Sequence, residues 1–169
     1  MIRTFLPTVL LGGAALIAAE SEVGAVIAEF ITRLQRVYAS LGAVRGKRIL
    51  DIACGSNSSR SPVTGRRTAR FEPWMCRLLQ ELGAEPVGID IGDLEGETFQ
   101  YLRVDLGVPG ALDGLPAASF DAVQDSRLFG SPEFQAAYGS GNLERVRQEI
   151  RRQERRLLRP NGILIHSDT

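Results

Sequence analysis

An aspartate set inside a short apolar run, with small residues directly after it, is the most informative local pattern in this chain. Ile49, Leu50 and Ile52 form the run, Asp51 interrupts it, and Ala53-Cys54-Gly55-Ser56-Asn57-Ser58-Ser59 follows. A segment of this kind fits a strand buried on both faces, as in parallel sheets. Small residues let the backbone turn tightly and let a ligand approach without meeting a side chain. Ligands of open α/β sheets bind beyond the carboxyl ends of strands, where the strand order reverses. The expected crevice therefore lies at Asp51–Ser59. Two later runs, Pro86-Val-Gly-Ile-Asp90 and Tyr101-Leu-Arg-Val-Asp105, also end on aspartates. An ionised carboxylate carries only acceptors, and its two oxygens can take two neighbouring hydroxyl donors. The chemistry offered is the holding of a small hydroxylated ligand.

Other reactive residues fit this picture less directly. Asp125, at the end of the run Ser119-Phe-Asp-Ala-Val-Gln124-Asp125, could position a substrate, accept a proton or serve as a cap. Arg60, Arg66, Arg67 and Arg70 crowd one Pro- and Gly-containing loop. There they either meet an anionic substrate at the crevice mouth or stand in solvent. A single histidine, His166, and two cysteines, Cys54 and Cys76, without C-x-x-C spacing give no zinc site. No G-x-S-x-G is present, which argues against a serine hydrolase, and no G-x-G-x-x-G follows a strand, which argues against a nicotinamide enzyme. Asp90 follows Asp51 by 39 residues, whereas a dinucleotide fold places its acid about 20 residues after the glycines.

The elements that must position these residues follow from periodicity. Ser21–Leu41 reads as an amphipathic helix, with Val23, Val26, Ile27, Phe30, Ile31, Leu34, Val37, Tyr38 and Leu41 on one face, Ser21 as cap and Gly42 as stop. Phe71–Gly83 and Asn142–Arg159 read as two further helices. Strands are expected at Ile49–Ile52, Val87–Ile91, Tyr101–Val104, Ala122–Gln124 and Ile163–Ile165. Upstream, Thr4–Ala19 is uncharged after Arg3. It reads as a buried helix starting near Pro7 or as a signal segment, and it is shorter than the roughly 20 residues a membrane span needs. The whole chain has 169 residues, 44% of them hydrophobic, with 20 basic and 20 acidic side chains. That balance gives no global field for nucleic acid.

These residues resemble class I S-adenosylmethionine-dependent methyltransferases. The family's first motif, an apolar strand followed by D-x-G-x-G-x-G, stands here as Asp51-x-Ala53-x-Gly55-x-Asn57. Asn57 replaces a glycine with a residue that accepts left-handed angles. The acid after the second strand matches Asp90, and the looser third motif matches Asp105-Leu106. A "FD" pair opens the fourth strand at Phe120-Asp121. The L-x-P-G-G turn into strand five stands as Leu158-Arg-Pro160-Asn-Gly162. The resemblance implies an α/β, Rossmann-like, mostly parallel sheet in the order 3-2-1-4-5, preceded by two helices. It also implies S-adenosylmethionine as cofactor, held by Asp51, Ala53, Gly55, Asn57, Asp90, Asp105, Leu106 and Gln124. In that scheme Asp90 receives the ribose hydroxyls, Asp105 and the next backbone N–H meet the adenine, and Gln124 lies below the sulfonium.

The resemblance covers roughly residues 46–168, after a helical extension over 1–45, and stops before the family's final strand hairpin. It implies a cytoplasmic methyltransferase with an unidentified acceptor. Without a [DN]-P-P-[YFW] motif, methylation of a nucleobase amino group is disfavoured. The unpaired edge of strand five would need cover from the amino-terminal helices, a partner or a second copy. The replaced glycines and absent hairpin leave a rival reading open: a non-catalytic S-adenosylmethionine-binding or scaffold domain of the same fold.

Overall fold

Apolar runs with short crossovers build a parallel sheet here. The structure is a computed structural model that describes residues 22–126 and 128–167. The expected helix at Thr4–Ala19 and the Ser21 cap lie outside the described residues. The elements are α1 (Glu22–Val37), β1 (Arg48–Ile52), α2 (Trp74–Glu81), β2 (Glu85–Asp90), β3 (Gln100–Arg103), β4 (Phe120–Ser126), α3 (Pro132–Leu157) and β5 (Leu158–Ser167). All five strands are parallel and hydrogen-bonded in the order β3-β2-β1-β4-β5. The order reverses between β1 and β4, so the crevice is set at the carboxyl end of β1.

Side-chain alternation along each strand divides the core between the two faces. Ile49 and Ala122 join Val26, Phe30 and Leu34 of α1 and Met75, Leu78 and Leu79 of α2 in one cluster. Leu50, Ile52 and Val123 join Phe134, Val146, Ile150 and Leu157 of α3 in the other. The apolar face of α1 is thereby used up against the sheet, with Val26 and Leu34 each only 1% exposed. Asp51 shares the face of Ile49 and meets Cys76 of α2. Asp125 shares the face of Val123 and meets α3.

Three boundaries differ from the periodicity. α1 ends at Val37, with Tyr38 N–H still bonded to Leu34 O, and Leu41–Val44 forms a separate 3-10 turn before β1. α2 spans only Trp74–Glu81, because Ala69–Phe71 is a 3-10 turn and Pro73 precedes the first helical residue. α3 starts at Pro132, ten residues before the expected Asn142. Ser131 caps it by accepting the Phe134 N–H at 3.0 Å, and Pro132 suits the first turn. The helix runs on past Gly139 and Gly141 through a kink at Gly139 (φ 61, ψ 158). The Leu158–Gly162 turn is absorbed into β5 as an irregularity, with Phe120 opposite Leu158 and Ala122 already opposite Ile163. Asn161 takes the positive φ, 64°, that this turn needs. No described helix is long and apolar enough to cross a membrane.

Candidate functional site

A cavity of about 660 Å³ opens at the carboxyl ends of the strands, within the range of small-molecule sites. At its inner end lie Ala53, Gly55 and Ser56 after β1, Asp90 and Ile91 at the end of β2, and Val104 and Leu106 after β3. Leu128, Phe134 and Tyr138 close the side towards α3, and Phe30 and Phe71 close the side towards α1.

The turn after β1 is built for close approach. Ala53 holds a left-handed φ of 58° and Gly55 a φ of 99°. A Cβ on Gly55 would sit 2.5 Å from the Phe71 carbonyl oxygen, so only glycine fits there. The same loop is tied down from three sides: Cys54 N–H donates to Ile89 O, Ser56 N–H to Phe71 O and Asn57 N–H to Asp93 O, at 3.0, 2.7 and 2.7 Å. Asp90 is the polar centre of the inner end. One carboxylate oxygen accepts the Gly55 N–H at 3.0 Å, the other the Gly92 N–H at 2.7 Å. Each oxygen keeps a second lone pair for another donor. Burial pushes the Asp90 carboxyl above its ordinary pKa, while the backbone N–H groups of Gly92, Gly55 and Ile91 oppose this.

The remaining sequence-derived residues divide into those beside the cavity and those beneath it. Ala53, Gly55, Asp90 and Leu106 line it. Asn57 is exposed, lies off the lining and donates its side-chain amide to Glu95 O at 2.9 Å, which pins the loop. Asp105 stands just outside the lining. Its Oδ1 accepts from Tyr138 Oη at 3.0 Å and from Gly107 N–H at 2.8 Å, so it fixes a tyrosine that does line the cavity. Asp51 and Gln124 are 1% and 0% exposed and face each other across β1 and β4. They form the floor below the turn and do not reach the lining. Burial raises the Asp51 pKa to about 7, with the neighbouring Gln124 and Cys76 side chains opposing. The Cys76 thiol donates to Asp51 Oδ2 at 3.6 Å. Gly88 makes room for both buried sulfurs, since a Cβ there would come 2.8 Å from Cys54 Sγ and 3.3 Å from Cys76 Sγ.

Asp125 neither lines the cavity nor caps a helix. It is fully buried against α3, 2.7 Å from His166 Nδ1 and 3.5 Å from Arg151 Nη1. Glu154, on α3, is also fully buried, and Arg151 Nη1 lies 3.3 Å from its Oε2. One carboxylate oxygen each of Asp125 and Glu154 and one ring nitrogen of His166 lie within 4.8 Å of one another. The Arg151 guanidinium stands among them, in contact with the His166 ring, and supplies the cation that two buried carboxylates require. Burial raises the Glu154 pKa to about 7, with Arg151 opposing.

The outer end of the cavity is the part the sequence left indistinct. The loop of residues 60–70 is not loose. Arg60 and Arg67 form an antiparallel bridge, Ser61 N–H donates to Arg66 O at 2.8 Å, and Ser61 Oγ accepts from Val63 and Thr64 N–H at 3.2 and 3.1 Å. Phe134 and Tyr138, one turn apart on the first segment of α3, were hidden by the late helix start. The Ser131-Pro132 pair was the signal that could have found them. Trp74 stays off the lining, packed in the α1–α2 core with its Nε1 donating to Ala69 O at 3.0 Å.

No protein-family profile matches the chain, and no curated protein matches it. Among solved structures, the CurJ carbon methyltransferase is similar over 72% of this chain and 29% of its own, at 20% identity and a TM-score of 0.41. CrArsM, an arsenic(III) S-adenosylmethionine methyltransferase from Chlamydomonas reinhardtii, is similar over 71% of this chain and 38% of its own, at 20% identity and a TM-score of 0.35. The chain thus spans well under half the length of either. The strand order and the crevice at the β1/β4 reversal stand independently of these likenesses. They make this a Rossmann-like, parallel α/β sheet.

Proposed function

We propose that the chain binds S-adenosylmethionine in this cavity and transfers its methyl group to an acceptor. The observation that carries the reading is the Asp90 carboxylate, held by two backbone N–H groups at the end of β2 and turned to the cavity. An acceptor-only group with one lone pair left on each oxygen suits a pair of ribose hydroxyls. Ile91, Val104 and Leu106 offer apolar walls for a flat base, and the turn at Ala53–Ser56 brings backbone close to the ligand. When bound, the cofactor supplies a methyl group already activated by its sulfonium. The chain's own part is to exclude water and to hold the acceptor in line, a task of orientation more than of acid–base chemistry. Phe71, Leu128 and Phe134 are placed for the first of these. Tyr138 is kept protonated: burial and the adjacent Asp105 raise its pKa well above the ordinary phenol value. It can therefore orient a partner as a fixed polar group.

Calorimetric titration of the full chain with S-adenosylmethionine and with NAD tests the assignment. Saturable binding of the first and none of the second is the expected result. Binding of NAD alone, or of neither at millimolar concentration, would overturn it. Binding of S-adenosylmethionine without turnover on any acceptor would favour the non-catalytic reading.

A further inference from the structure

The cavity has a second end that the cofactor reading does not use, and its charges do not balance. Four arginines line it, Arg33, Arg66, Arg67 and Arg70, against two carboxylates, Glu29 and Glu133. Glu133 pairs with Arg66 at 3.0 Å, and Glu29 pairs with both Arg70, at 2.8 Å, and Arg33, at 3.3 Å. Glu22, just outside the lining, accepts from Thr68 and from Ala69 N–H. Among the described residues, Arg67 makes no ion pair or hydrogen bond with its guanidinium. Its backbone is nevertheless fixed by the bridge to Arg60. Beside these charges the walls are aromatic, with Arg33 5.2 Å above the Phe30 ring and Arg66 5.2 Å above the Phe71 ring.

The geometry points to a small acceptor that carries a carboxylate on an apolar, flat body, the carboxylate meeting Arg67 while the body lies among Phe30, Phe71 and Phe134. This identification of the acceptor class rests on the cofactor reading above. A guanidinium presents paired N–H donors matched to a carboxylate. Arg67 is itself exposed, so water competes with the ligand for its N–H groups and the paired geometry must carry the preference. The paired arginines hold the loop and α1 in place through Glu29 and Glu133, and Arg67 is left to take the ligand's charge. The loop that carries Arg67 is bonded to the end of the β1 turn through Thr68 N–H and Ser59 O at 2.9 Å, so the cofactor's own carboxylate is the competing occupant and S-adenosylhomocysteine separates the two.

Benzoate and its neutral counterpart benzamide separate charge from shape. The full chain is titrated with each, with and without S-adenosylhomocysteine, in the wild type and in Arg67→Gln and Arg67→Lys. Benzoate should bind about tenfold more tightly than benzamide, the effect one charge-assisted hydrogen bond allows. Arg67→Gln should remove the preference and Arg67→Lys should keep most of it, with melting temperature and S-adenosylhomocysteine affinity unchanged in both. Equal affinity for benzoate and benzamide in the wild type would overturn the inference. So would a loss of S-adenosylhomocysteine affinity in Arg67→Gln, which would assign the arginine to the cofactor's own carboxylate. A wild type that ignores S-adenosylhomocysteine yet prefers benzoate would instead count against the cofactor reading and leave the anionic site standing.

Discussion

Two aspartates that look alike in the sequence have different work in the structure. Asp90 lines the cavity, whereas Asp105 is turned to Tyr138 and Gly107. Asp105→Ala should therefore weaken S-adenosylmethionine binding less than any loss of the Asp90 carboxylate, and its main effect should be a less firmly seated Tyr138. Asp90→Asn should be milder than Asp90→Ala, because the amide keeps one acceptor oxygen. Equilibrium titration of the three variants checks the order; a larger loss in Asp105→Ala than in Asp90→Ala would reverse the assignment. At this scale the sequence was readable where a residue ends a strand, as at Asp90. The burial of Gln124 and Asp125 was not readable. Strand pleat turns neighbouring residues to opposite faces, so these two are buried under α1–α2 and under α3, away from the crevice.

Among the elements, α3 decides how the cavity is closed. It must bring Phe134 and Tyr138 over the strand ends and still pack Val146, Ile150 and Leu157 on the sheet. The kink at Gly139 reconciles these, with φ 61 and ψ 158 in a region that side chains other than hydrogen strongly disfavour. Gly139→Ala should cost about 1–3 kcal/mol, read as a lower urea midpoint at unchanged slope. No change in midpoint would show that the kink is not needed. The strands were legible because each apolar run is bounded by turn residues. The face of α1 was legible too, since Val26, Phe30 and Leu34 recur at helical spacing. The early start of α3 was not, because Gly139 and Gly141 interrupt its periodicity and Tyr138 points to a cavity instead of the core. The order of the arginine loop was not legible either: it comes from Ser61 and the Arg60–Arg67 bridge, which leave no periodic trace.

Across the whole molecule, two buried carboxyls set how stability varies with pH. Burial raises the Asp51 pKa from 3.8 to about 7 and the Glu154 pKa from 4.5 to about 7. The folded chain therefore holds protons that the unfolded chain has released across this window. Their contribution is fully present below the unfolded values, is lost as pH rises towards 7, and is constant above that. Melting temperature should fall over this interval, and Asp51→Asn, which cannot ionise, should flatten the fall. An unchanged slope in Asp51→Asn would mean that Asp51 is ionised in the folded state. The proposal to be tested is that this crevice holds S-adenosylmethionine through the Asp90 carboxylate at the end of β2. The most direct measurement is the dissociation constant for S-adenosylmethionine in the wild type and in Asp90→Ala, taken with both melting temperatures. Two hydrogen bonds to an ionised group are at stake, each of about 1.5–3 kcal/mol. The account predicts measurable wild-type binding and a loss of about tenfold or more in the variant, with melting temperature preserved. Equal affinity in the two proteins, at equal melting temperature, would contradict it.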